Sequence, residues 1–89
     1  MPRRHESNLF TLTIEEHDAI WRLLRPVRVT IEQRYQPQGY NVGVNVGVAG
    51  GQTVGHVHVH VIPRYAGDVD DPRGGIRWII PATARYWDR

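Results

Sequence analysis

Apolar and polar positions along this chain change period twice. A polar lead-in runs from Met1 to Asn8. Thr13 can then cap a helix, and Glu16 three residues later completes a capping box. Apolar side chains follow at Ile14, Ile20, Trp21, Leu24, Val27 and Ile31, and the run ends near Tyr35. Spacings of three and four residues mark one buried stripe of an amphipathic helix. Pro26 lacks the N–H that would bond the carbonyl of Arg22, so one helix kinked there is expected. Pro37-Gln38-Gly39 ends it.

The period then drops to two. Tyr40 to Val48 alternates Val42, Val44, Val46 and Val48 with Asn41, Gly43, Asn45 and Gly47. Gly55 to Pro63 alternates Val57, Val59 and Val61 with His56, His58 and His60. Two such runs joined by a glycine-rich connection predict an antiparallel hairpin whose valine face covers the helix stripe. Residues 68–75 read as a loop, Ile76 to Ile80 as a short strand or extended segment stopped by Pro81. The fold class is therefore α+β, in one domain spanning residues 1–89.

Composition narrows the function classes. With 89 residues, the chain sits near the lower limit for a self-sufficient core. Eleven Lys and Arg against nine Asp and Glu give a net charge of only +2, and the arginines are scattered, which argues against a nucleic-acid platform. The absence of cysteine rules out disulfides and thiolate metal sites. No apolar run reaches membrane-spanning length and no signal-peptide core stands at the N-terminus, so the expected setting is the cytoplasm.

The hairpin's second face carries the chemistry. Residues i, i+2 and i+4 of a strand share a face, so His56, His58 and His60 project together. Across the hairpin, Asn45 stands between Gly43 and Gly47, and glycines beside a polar side chain clear space above a sheet. The connection adds Gly50, Gly51, Gln52 and Thr53, whose backbone N–H groups can form an anion-binding concavity. Imidazoles beside oxyanion donors suit phosphoryl transfer through a histidine nucleophile. Two plainer readings stand beside this one. The histidines could be solvated on an edge strand, and the glycine turn could be a hairpin loop alone. From spacing alone, His-x-His-x-His also fits a strand presenting imidazoles to Zn²⁺.

The stretch from Gly51 to Arg64 (GQTVGHVHVHVIPR) closely resembles the signature of the histidine triad (HIT) family, His-φ-His-φ-His-φ-φ with φ apolar, preceded by Gly-Gln-Thr-Val. Its continuation, Pro63-Arg64-Tyr65-Ala66-Gly67-Asp68, is similar to the fragile-histidine-triad and dinucleoside-polyphosphate hydrolase branch. The resemblance runs from about Pro2 to Asp68 and lowers the metal-site reading. It implies that His58 is the nucleophile that becomes nucleotidylated. By the same resemblance, His60 contacts the reacting phosphate or leaving group and His56 orients the nucleophile. Asn45, Gly51, Gln52, Thr53 and Val54 would contact phosphate, and His5 would support the triad through hydrogen bonds. His17 matches no motif and reads as structural.

No cofactor is required on this reading, although a nucleotide substrate could arrive bound to Mg²⁺. In the family, further strands and a helix precede the position of Pro2, so the resemblance implies an N-terminally truncated domain. A homodimer that covers the sheet edge left by those strands is expected. A non-catalytic nucleotide-binding or interaction module is the alternative function.

Overall fold

The computed structural model describes residues 8–88. Helix α1 spans Ile14–Tyr35, strand β1 Gly39–Val44, strand β2 Val59–Arg64, and a short helix α2 Pro81–Ala84. The capping box forms as the sequence predicts. The Glu16 N–H donates to Thr13 Oγ1 at 3.1 Å, and the Thr13 N–H donates to Glu16 Oε1 at 2.9 Å. Helix α1 continues through Pro26 without interruption. It stops at Gln36, whose φ of 48° is left-handed and whose N–H caps the carbonyl of Glu32.

The two strands pair antiparallel, with Gly43 opposite His60, Val42 opposite Val61 and Val44 opposite Val59. Directly paired residues share a face. One face therefore carries Gly39, Asn41, Gly43, His60, Ile62 and Arg64. The other carries Tyr40, Val42, Val44, Val59, Val61 and Pro63 and looks toward α1. There the Tyr40 hydroxyl donates to Glu32 Oε1 at 2.9 Å, and the Tyr65 hydroxyl donates to the Tyr35 carbonyl at 2.8 Å. These bonds tie the C-terminal half of α1 to the hairpin.

Both strands are shorter than the alternation predicts. Gly47, at φ 74°, leads the chain out of β1's path into a 3-10 turn at Val48–Gly50, and Gly51, at φ 91°, closes it. Residues 56–58 consequently have no ladder partner and enter β2 as irregular backbone, although Val57 stays buried at 4% exposure. The tail departs further. In place of a strand over residues 76–80 there is a 3-10 helix at Gly75–Ile79, and Pro81 starts α2 instead of ending an element. Gly74 and Gly75 take φ values of 89° and 49°, which curl the chain before it could extend, and proline's fixed φ suits the first helical position.

The valine face covers α1 loosely. Ile20, Leu23, Leu24, Val27 and Ile31 of the helix face Val57, Val59 and Val61 across a groove of about 380 Å³. Of the predicted stripe, Ile14 and Trp21 do not line this groove, whereas Leu23, itself half-exposed, does. Trp21 packs edge-on against His17 and donates to its Nδ1 at 3.0 Å. Among the described residues no helix is long and apolar enough to cross a membrane.

Candidate active site

The histidine face reaches its geometry through the turn that precedes β2. Gln52 fastens that turn at two points. Its Oε1 accepts from the Gly47 N–H at 2.8 Å, and its Nε2 donates to the Val54 carbonyl at 3.0 Å. The Gln52 N–H also donates to the Gly47 carbonyl at 3.0 Å. The side-chain amide expected to meet phosphate is thus engaged with backbone. The Gly50 and Gly51 N–H groups are likewise spent inside the turn, on the carbonyls of Gly47 and Val48. Asn45 sits against Gly51: a Cβ added to that glycine would stand 4.0 Å from Asn45 Nδ2.

Three imidazoles stack in sequence along this face. His56 and His58 have ring centroids 4.5 Å apart at 30°, and His58 and His60 are 6.4 Å apart at 17°. His58 Nδ1 lies 3.0 Å from the His56 carbonyl oxygen. A carbonyl can only accept, so Nδ1 is the donor in this hydrogen bond, and in the neutral ring the lone pair then falls on Nε2. A backbone bond of this kind also fixes the ring's rotation without using another side chain.

His56, His58 and His60 line one cavity of about 310 Å³ together with Asn45, Gly51, Gln52, Thr53 and Val54. Every predicted site residue among the described residues lines this cavity. His5 lies outside the described residues. No group of three His, Cys, Asp or Glu side chains among the described residues is arranged to hold a metal ion.

Further along the same face, sequence reasoning missed a polar fork. Arg64 grips Asp68 with two bonds, Nε to Oδ2 at 2.7 Å and Nη2 to Oδ1 at 2.8 Å, and its Nη1 donates to Asn41 Oδ1. The Arg64 hydrogen bonds, then that from the Tyr65 N–H, hold the Asp68 carboxyl well below the usual carboxylate range. The parity of Asn41 with Gly43 and Asn45 was the available signal.

With this geometry in place, comparison with known proteins decides the family. The family model described as "HIT domain" matches residues 1–67. The chain belongs to the HIT family. This HIT domain is 38% identical over 71 residues to a bis(5'-nucleosyl)-tetraphosphatase (asymmetrical) of Schizosaccharomyces pombe, an alignment covering 80% of the chain and 39% of that protein. It is also 38% identical over 71 residues to an AP-4-A phosphorylase of Mycobacterium tuberculosis, covering 79% and 36%. The crystal structure of a HIT family protein from Bacillus anthracis superposes with a TM-score of 0.69 at 36% identity, over 75% of this chain and 48% of that one. The chain spans less than half the length of each of these proteins. The expected α+β fold class agrees with this likeness.

Proposed function

We propose that this HIT domain is a nucleotide phosphohydrolase acting on dinucleoside polyphosphates or related nucleoside phosphoryl compounds, through a nucleotidyl-histidine intermediate. The observation that carries the reading is the 3.0 Å approach of His58 Nδ1 to the His56 carbonyl oxygen, inside the cavity that all three histidines line. The His58 Nδ1–H is held by the His56 carbonyl, which reserves Nε2 for attack beside a cavity rimmed by amide and hydroxyl groups. In the proposed sequence, His58 Nε2 attacks the α-phosphorus and the bond to the bridging oxygen breaks. His60 meets the departing oxygen, while Asn45 and Thr53 hold the charge that develops on the phosphoryl oxygens. His56 positions His58 through its carbonyl and its stacked ring. Water then attacks the phosphorus and releases nucleoside monophosphate. No step needs a metal bound by the protein, and Mg²⁺ carried by the substrate is compatible with the scheme. The names of the relatives support the substrate class, because both act on dinucleoside tetraphosphates by name.

Intact mass spectrometry after brief exposure to a dinucleoside polyphosphate tests the reading. An adduct of one nucleotidyl group, localised to His58, is expected. Nucleotide that is retained but never cleaved would assign the domain to the binding-module alternative.

We further infer that two copies associate, one covering the sheet edge of the other. The sheet among the described residues has only two strands, β1 and β2, so each strand has an outer edge with no partner strand. Light scattering at low micromolar concentration should give twice the chain mass, and a stable, folded monomer would end this part of the proposal.

A further inference from the structure

Residues 68–88 lie beyond the stretch that the family model matches, yet they dock on the histidine face. A Cβ built on Gly43 would stand 3.1 Å from Ile76 Cδ1, and one built on Gly75 would stand 3.2 Å from Asn41 Nδ2. Gly43 pairs directly with His60. The Ile76 side chain therefore fills the space above Gly43, beside the third histidine and on its side of the sheet.

The segment is fastened to the sheet at its start and braced within itself. The Arg64–Asp68 fork fixes the start of the segment. Trp78 Nε1 donates to the Arg73 carbonyl at 2.6 Å, the Arg73 guanidinium lies 4.5 Å over the Trp87 ring, and Ala84 is fully buried. Ile76 nevertheless keeps 50% of its surface exposed, and so does Ile62, two residues beyond His60 on the same face. The cavity around the histidines is rimmed by imidazoles, amides and a hydroxyl, whereas the face beyond His60 offers two half-exposed isoleucines. Apolar surface held rigidly beside a polar site suits a flat, weakly polar group such as a nucleobase.

We propose that Ile76 is a specificity-determining residue: it forms the apolar wall against which the nucleoside of the leaving nucleotide packs once the polyphosphate has passed His60. This rests on the hydrolase reading above, which puts the leaving group at His60. The segment 68–88 then favours dinucleoside polyphosphates over nucleotides that lack a second nucleoside.

The test is calorimetric titration of the full chain and its Ile76→Ala and Ile76→Leu variants with two probes. One is a diadenosine tetraphosphate analogue whose bridging oxygens are methylene groups, the other is AMP. Losing the exposed half of an isoleucine contact should weaken the analogue about 5- to 10-fold. AMP affinity should change less than 2-fold, and leucine should restore the analogue's binding. Equal weakening of both probes, or no change in either, overturns the proposal. Because binding is read without cleavage, a chain that binds the analogue but never hydrolyses the oxygen-bridged compound fails the hydrolase reading and not this one.

Discussion

The two faces of one hairpin are built to different standards. On the histidine face, several groups are held by named partners within the chain. His58 is tied to the His56 carbonyl, Gln52 to Gly47 and Val54, Asn41 to Arg64, and Arg64 to Asp68. On the valine face, the same alternation produces an open groove, and of its lining only Ile20 and Val57 are buried. Polar groups demand specific partners, because an unpaired one is costly once it is desolvated. Valines demand only coverage, which need not come from the same chain. The difference separates what this chain orders by itself from what it leaves for another surface.

The largest effect should come from the histidine face. Replacing His58 by Ala removes the proposed nucleophile, and turnover of a dinucleoside polyphosphate should fall by at least about 10³-fold. The thermal midpoint should barely move, since the residues packed across the valine face do not include His58. Steady-state kinetics with a parallel melt checks both halves. A variant with near wild-type turnover would return the histidine face to the status of a solvated edge.

The valine face answers to a different perturbation. Ile20 is 7% exposed but borders the open groove. In a dilute single chain, Ile20→Ala should cost about 2 kcal/mol, the low end for such truncations, because one side of the resulting cavity is already unfilled. Urea unfolding followed by tryptophan fluorescence gives the number. A cost near 5 kcal/mol would show this face to be as closely packed as the other, and the comparison would fail.

Legibility in the sequence followed the same division. The capping box, the long helix and the hairpin could be read from local spacing, since each depends on residues within a few positions; the three histidines do line one cavity, but His56 and His58 reach it from irregular backbone and not from the strand that their spacing predicts. The ends of the strands could not. They are set by Gly47 and Gly51, whose left-handed backbone diverts the chain before the alternation runs out. Gln52 was legible as a site residue, but its role as a staple needs the three-dimensional approach of Gly47 and Val54. The tail was misread for a related reason. Ile76 to Ile80 has the apolar content of a strand, but Gly74 and Gly75 turn it onto the sheet face, a long-range placement that no period encodes.

The smallest expected effect concerns the joint between the histidine face and that tail. Asp68 is held in its charged form by the Arg64 guanidinium and the Tyr65 N–H, with its carboxyl well below the usual range, whereas in the unfolded chain it titrates near the ordinary value of about 3.9. The unfolded state therefore binds the proton first as pH falls. The stabilisation is complete above the ordinary carboxylate pKa and is lost as pH drops toward the folded value. Acidification below about pH 4 should loosen residues 68–88 from the sheet. The ring environments of Trp78 and Trp87 would change with it, since both pack within that segment. Fluorescence followed from pH 6 to pH 2 should show this transition in the parent chain, and Asp68→Asn should remove its pH dependence while leaving a slightly weaker dock at neutral pH. Superimposable acid profiles for the two proteins would mean that the fork does not hold the tail. The placement of Ile76 would then rest on the close contacts of Ile76 with Gly43 and of Gly75 with Asn41.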